Sequence, residues 1–268
     1  MRIILWNIRA GGGCRVGAIL DQLSVWAPDV VALCEFRGTP PSCELARGLA
    51  RRGLPHQRHT AAPRHPAHNR LLVASRWPVR RLRLPREPVE PGRWLLVQVA
   101  APRPFALGLM HVPNRVTGHK YPFLDAVLGL ARRWQGGPAL FLGDTNSGCR
   151  GIDEETVAFN AREDGWMESL ARAGWADGFR RLHGQARVYS WHAPNGGNGF
   201  RIDQAFLNPA LCARLRTVRY AWGTRRGDRR RPAVSDHAAL LVELDLGGGG
   251  RCDRAGSARA VGRSRPSP

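Results

Sequence analysis

Apolar positions along the chain follow two periods. Ile3, Ile4, Leu5 and Trp6 form a short continuous run, and further runs fall at residues 30–34, 71–75, 94–99, 106–111 and 139–142. Short runs with no polar face predict strands covered on both sides. Between them the spacing changes. Val16, Ile19, Leu20, Leu23 and Trp26 recur at helical spacing, which predicts a helix that Pro28 stops. Phe123, Leu124, Val127, Leu128, Ala131 and Trp134 predict another, ended by Gly136-Gly137-Pro138. Residues 45–52 predict a weaker helix, and Trp166, Met167, Leu170 and Ala171 one more. The C-terminal half is richer in strands, at 188–191, 202–207, 218–222 and 238–244.

Strands and helices alternate through both halves with no break in composition before Leu246. Two sheets packed face to face, with helices outside them, fit that alternation. No repeat is visible at the level of residues. The expected organisation is one domain over residues 1–246. Residues 247–268, rich in Gly, Arg, Ser and Pro, have too little apolar surface to pack and are expected to be a disordered tail.

Composition adds three constraints. With 43% hydrophobic residues, a chain of 268 residues buries a sizeable core. No apolar run approaches the roughly 18 residues of a membrane span, and the N-terminal run is too short for a secretory segment, so a cytoplasmic protein is expected. None of the six cysteines forms a C-x-x-C pair, which argues against structural zinc, and Cys34 sits in an apolar run as a core filler. The formal charge of +20 draws in polyanions and makes their binding salt-dependent. Lys120 is the only lysine and every other Lys/Arg position is arginine, a skew that codon bias in a GC-rich genome also produces. A basic cluster at 225–231 lies in a loop marked by Gly223, Gly227 and Pro232.

Polar residues recur at the ends of the apolar strands. Asn7, Glu35, His111, Asp144 and Asn146 follow such runs, Asp203 lies within one, and Asp236 and His237 precede one. Strand ends are rigid places from which to rim a pocket with fixed groups. Carboxylates, amides and imidazoles together suit phosphoester hydrolysis. That reaction needs a hard cation against the phosphate oxygens, an acid or base for the attacking water, and donors for the phosphoryl group.

Five segments sharpen this reading. Leu5-Trp6-Asn7-Ile8, Asp29-Val30-Val31-Ala32-Leu33-Cys34-Glu35, Gly143-Asp144-Thr145-Asn146, Ser190-Trp191 with Arg201-Ile202-Asp203, and Ser235-Asp236-His237 stand in that order. In sequence and order they resemble the motifs of the endonuclease/exonuclease/phosphatase superfamily, the DNase I-like and exonuclease III-like metal-dependent phosphoesterases. The resemblance spans roughly residues 2 to 244. It implies an α/β fold, a four-layer α-β-β-α sandwich with two central mixed sheets. It also implies Mg²⁺ or Mn²⁺, with Glu35 as main ligand, Asn7 in support and Asp236 available to the same shell. Asp144 would orient or deprotonate water. His237 would act as base or phosphate contact, with Asp203 fixing its tautomer. Asn146 and Asn114 would contact phosphate, and Trp191 would lie near the site.

His111 in His111-Val112-Pro113-Asn114 bears on subtype. Exonuclease III-like apurinic/apyrimidinic endonucleases carry tyrosine there, whereas DNase I-like nucleases and many phosphatases carry histidine. The resemblance makes His111 an acid for the leaving oxygen or a phosphate donor. The glutamate that pairs with it in DNase I-like members has no counterpart, since no acid lies between Glu44 and Glu87. His56, His59, His65 and His68 lie in a Pro- and Arg-rich stretch and are expected in a solvated loop. The first functional expectation is a monomeric endo- or exonuclease acting on nucleic acid, with no protein partner. The alternatives are a phosphatase or phosphodiesterase on a small or lipid phosphate, and a non-catalytic nucleic-acid-binding relative.

Overall fold

The structure, a computed structural model, describes residues 1–90, 92–194, 197–223 and 234–247. In chain order the elements are β1 (Arg2–Asn7), α1 (Val16–Trp26), β2 (Val30–Phe36), α2 (Pro40–Arg51), β3 (His56–His59), β4 (Arg70–Ser75), β5 (Val79–Arg81), β6 (Trp94–Val99), β7 (Phe105–His111), α3 (Lys120–Arg132), β8 (Ala139–Asp144), α4 (Ala161–Arg172), β9 (Ala176–Asp177), α5 (Gly178–His183), β10 (Trp191–His192), β11 (Gly199–Phe200), β12 (Asp203–Leu207), α6 (Pro209–Cys212), β13 (Leu215–Ala221) and β14 (Ala239–Leu244).

Two six-stranded sheets form the centre, in the orders β13-β14-β1-β2-β4-β3 and β5-β6-β7-β8-β12-β9. Each is mixed. In the first, β1 and β2 run parallel, and in the second, β7 and β8 do. The other described pairs are antiparallel.

The continuous apolar runs are explained by burial on both faces. Along β1, Ile3 and Leu5 enter the core between the sheets with Val30, Leu71, Leu107 and Leu140. Ile4 and Trp6 point the other way, onto Ile19, Leu20 and Leu23 of α1 and Leu45 and Leu49 of α2. The second sheet repeats the pattern. Leu107 and Leu109 face inward, while Ala106 and Met110 face Phe123, Leu124 and Val127 of α3, with Trp166 and Leu170 of α4 in the same cluster. The result is a four-layer sandwich with helices on both outer faces.

Local chemistry sets the helix ends. Ala27 is left-handed, with φ 48°, and its N–H reaches the carbonyls of Leu23 and Ser24. The following Pro28 prevents continuation. Asn160 and Glu163 form a reciprocal capping box at the start of α4.

Some expectations need correction. Residues 56–59 are not loop but the edge strand β3, paired with β4 from His56↔Ser75 to His59↔Leu72. An edge strand with a solvated face has no apolar periodicity to betray it. His65 and His68 do lie in turns, their rings stacked with centroids 4.8 Å apart. The strand expected at 188–191 is only Trp191–His192, paired with Gly199–Phe200. The basic cluster at 225–231, the turn residues 195–196 and the tail from 248 lie outside the described residues. Among the described residues no helix is long and apolar enough to cross a membrane.

Candidate active site

The two parallel strand pairs bring their ends to one place. The β1–β2 register pairs Asn7 with Cys34, next to Glu35. The β7–β8 register pairs His111 with Asp144, and antiparallel β12 sets Asp203 opposite Asp144. Asn7 spans the sandwich: its amide donates to Glu35 Oε1 at 3.3 Å and to Asp144 Oδ2 at 3.0 Å. Residues far apart in the chain thus share one site because each lies at or beside one end of a core strand.

Main chain shapes the surroundings of Glu35. A bulge between Cys34 and Phe36 interrupts the β2–β4 ladder, and Glu35 itself is left-handed, with φ 61°. Arg9 and Ala10, opposite it, share that conformation, with φ 52° each. Such residues cost roughly 1–2 kcal/mol apiece without glycine. The arrangement aims the Ala10 N–H at Glu35 Oε2, 2.7 Å away, and the Gly11 N–H at the Glu35 carbonyl, 2.8 Å away. Burial works against the charge of Glu35, but the Ala10 N–H, His111 and the Asn7 amide outweigh it, so the carboxyl titrates below its usual range.

The Gly143-Asp144-Thr145-Asn146 turn has a steric origin. A Cβ on Gly143 would lie 1.9 Å from the Met110 carbonyl oxygen, so no side chain fits there. Asn146 is left-handed, with φ 46°. Its N–H donates to Asp144 Oδ1 at 3.1 Å and its side-chain amide to the Val112 carbonyl at 2.8 Å. Lys120 Nζ donates to its carbonyl at 2.5 Å.

Asp203 and His237 form a buried pair, Oδ2 to Nδ1, 2.9 Å apart. With Asp203 ionised, Nδ1 carries the donated proton and Nε2 remains for the site. Burial lowers the affinity of His237 for a proton, but attraction to Asp203, their hydrogen bond and nearby Asp144 prevail, raising its pKa to about 9. Asp144 is pushed up, first by burial and then by Asp203. Ligand atoms of Asp144, Asp203 and His237 all lie within 4.8 Å of one another. Asp203 Oδ1 is buried with no hydrogen-bond partner among the described residues.

Other anticipated residues surround this centre. His111 is buried, its Nε2 3.7 Å from Asp144 Oδ2. Its Nδ1 has no partner among the described residues, consistent with the missing glutamate. Burial holds its pKa down; Asp144 opposes this and Arg93 adds to it. Trp191 bridges to His237, the two rings 6.1 Å apart. Asn114 is exposed, at the start of the turn after β7. Asp236 turns outward, 3.9 Å from Arg9 Nε.

Several supporting groups escaped sequence reasoning. Ser190 Oγ accepts the N–H groups of Ile202 and Asp203, both at 3.1 Å. The Tyr220 hydroxyl donates to the Asp203 carbonyl at 2.6 Å. Arg201, fully buried, pairs with Asp153 and Asp177. Ser190 and Arg201 lay inside quoted motifs, but only the fold reveals their partners.

The model of the Endonuclease/Exonuclease/phosphatase family matches residues 4–237. The chain belongs to that family. Among solved structures, 3′ phosphatase NExo from Neisseria, bound to product DNA hairpin, is 23% identical with a TM-score of 0.74, covering 91% of this chain and 99% of that one. The 3′-5′ exonuclease NExo from Neisseria meningitidis is 24% identical, with a TM-score of 0.75, covering 91% of this chain and 100% of that one. An AP endonuclease from Archaeoglobus fulgidus is 19% identical, with a TM-score of 0.75, covering 92% and 100%. These structures share the DNase I-like fold of this family member. Among curated proteins the comparison finds no match.

The donor set of this family member suits a divalent cation. Asp144 and Asp203 supply hard oxygen atoms in one cluster with His237, Glu35 adds its carboxylate across the Asn7 amide, and the orphaned Asp203 Oδ1 gains a partner if a cation or a bound donor group enters. Asp203 also repels the ionised form of Asp144, which a positive charge relieves.

Proposed function

We propose that this protein is a Mg²⁺- or Mn²⁺-dependent phosphodiesterase that cleaves nucleic acid. The observation that carries the reading is the convergence of Asn7, Glu35, Asp144, Asp203 and His237 at the ends of core strands from both sheets. Family membership supports it, as do the +20 charge and structural neighbours named for exonuclease, 3′ phosphatase and AP endonuclease activities.

Glu35 would be the main ligand for the cation, with Asp144 beside it, while Asp236 faces Arg9 instead. Asn7 donates to both inner carboxylates and accepts from the Arg9 N–H at 3.0 Å, so it orients ligands more than it binds. When bound, the cation supplies Lewis-acid stabilisation of charge on the phosphate oxygens. Asp144 or His237 takes a proton from the attacking water as its oxygen bonds to phosphorus. Asp203 holds His237 in one tautomer throughout. The opposite P–O bond breaks, and the departing oxygen takes a proton. His111 donates through its ring, either to that oxygen or to a non-bridging phosphate oxygen. Asn114 and Asn146 hold the phosphoryl group, and Trp191 walls the cleft beside His237.

His111 in place of tyrosine favours one second reading, hydrolysis of a smaller phosphate ester. The test uses purified protein with plasmid DNA, an abasic-site duplex, RNA and bis-p-nitrophenyl phosphate, each with Mg²⁺ or Mn²⁺ and with chelator. Cation-dependent cleavage of polymer is expected. Turnover of the small ester alone supports the second reading. No turnover, with salt-sensitive DNA binding retained, means a binding protein.

A further inference from the structure

Of the 41 Lys and Arg residues in the chain, Lys120 alone is lysine. It opens α3, and only 2% of its surface is exposed. Its ammonium donates to the Asn146 carbonyl at 2.5 Å and to the fully buried carboxylate of Glu163. Arg115, half-exposed, reaches the same Glu163 oxygen with Nε at 3.1 Å. The other carboxylate oxygen of Glu163 accepts the Asn160 N–H at 2.9 Å, closing the α4 capping box.

The two basic side chains divide the work by shape. Arginine, a broad planar fork, takes the exposed approach to Glu163; lysine, a compact point charge, occupies the closed one. In a chain that otherwise uses arginine throughout, the closed position is where the smaller head group matters. What the ammonium reaches is the Asn146 carbonyl, in a left-handed turn directly after Asp144. Among the described residues, the other two bonds of Asn146 run to Asp144 and Val112, at the ends of β8 and β7. Lys120 thus supplies the remaining tether, from the helical layer behind the sheet.

We propose that Lys120 is a positioning residue: with Glu163 as counter-charge, it clamps the Asn146 carbonyl so that the Asp144–Asn146 turn is set before substrate arrives. The consequence for turnover rests on the reading above, in which Asn146 holds the phosphoryl group; the clamp itself does not.

The test separates positioning from charge balance. Lys120→Met leaves Glu163 partly uncompensated, so the informative protein is the double variant Lys120→Met/Glu163→Gln. It removes both charges and keeps an N3 side chain able to close the capping box. Its melting temperature is expected within about 5 °C of the parent. On a cleaved phosphodiester, kcat should fall about 10- to 100-fold, with KM nearly unchanged. Amide exchange at residues 145–147 should be about tenfold faster, while the strand interiors of β7 and β8 keep their protection. Parental kcat in the double variant, or unchanged exchange at 145–147, would overturn the clamp. A parent with no turnover of any phosphodiester would instead remove the proposed function, and exchange alone would then decide the clamp.

Discussion

At the end of β2, Glu35 is surrounded by main chain. An N–H from a left-handed loop meets its carboxylate, its own backbone is left-handed, and Asn7 adds one side-chain bond. Across the sandwich, Asp144, Asp203 and His237 are organised chiefly by side chains and by one another. The ring of His237 rests on Asp203, the backbone of Asp203 on Ser190 and Tyr220, and Asn146 on Lys120. The two arrangements give different electrostatics. Against its burial, the Ala10 N–H first, then His111 and the Asn7 amide, hold Glu35 ionised, with its pKa below the usual range. On the other side burial, then Asp203, push Asp144 up, while, against its burial, Asp203 raises His237 to about 9. One side suits a standing ligand for a cation, and the other a place where a proton moves.

The comparison breaks most readily at the buried pair. Asp203→Ala or His237→Ala should lower turnover about a thousandfold, within the usual range for general acid–base groups, while the fold survives. Steady-state rates and a melting curve check both halves, and near-parental turnover in either variant would remove the proton-handling role. On the opposite side, Glu35→Gln should raise the Mg²⁺ concentration needed for half-maximal turnover about 10- to 100-fold. An unchanged requirement would move the ligand role to another residue. Gly143→Ala tests the scaffold: the Cβ meets the Met110 carbonyl, so denaturant unfolding should show a loss of about 1–3 kcal/mol or more. Ala10→Gly should matter least. It eases a left-handed position and keeps the N–H that meets Glu35, so stability should shift by less than about 1 kcal/mol. A large change in cation requirement there would show that the Ala10 side chain contributes as well.

Much of this was visible beforehand. The motifs that resemble the family marked Asn7, Glu35, Asp144, Asn146, Asp203 and His237, and the structure brings all six together at strand ends. The strands behind them were legible because each is apolar on both faces. What escaped notice is polar and relational. Strand β3 has solvated side chains, so its pattern looks like loop. Ser190 and Lys120 act through bonds to main chain, which a one-dimensional pattern does not display. Asp236, grouped with the ligands from its place in Ser235-Asp236-His237, turns out toward Arg9.

From residue order alone came the alternation of strands and helices, the family resemblance and the identity of the polar groups at strand ends, because burial writes itself as local periodicity. The resemblance also implied that Asp203 holds His237, but only the folded chain decided the other meetings: Asn7 between two carboxylates and Lys120 under Asn146. Those pairings join segments dozens to hundreds of residues apart, and their geometry is set by strand register and by the packing of the two sheets.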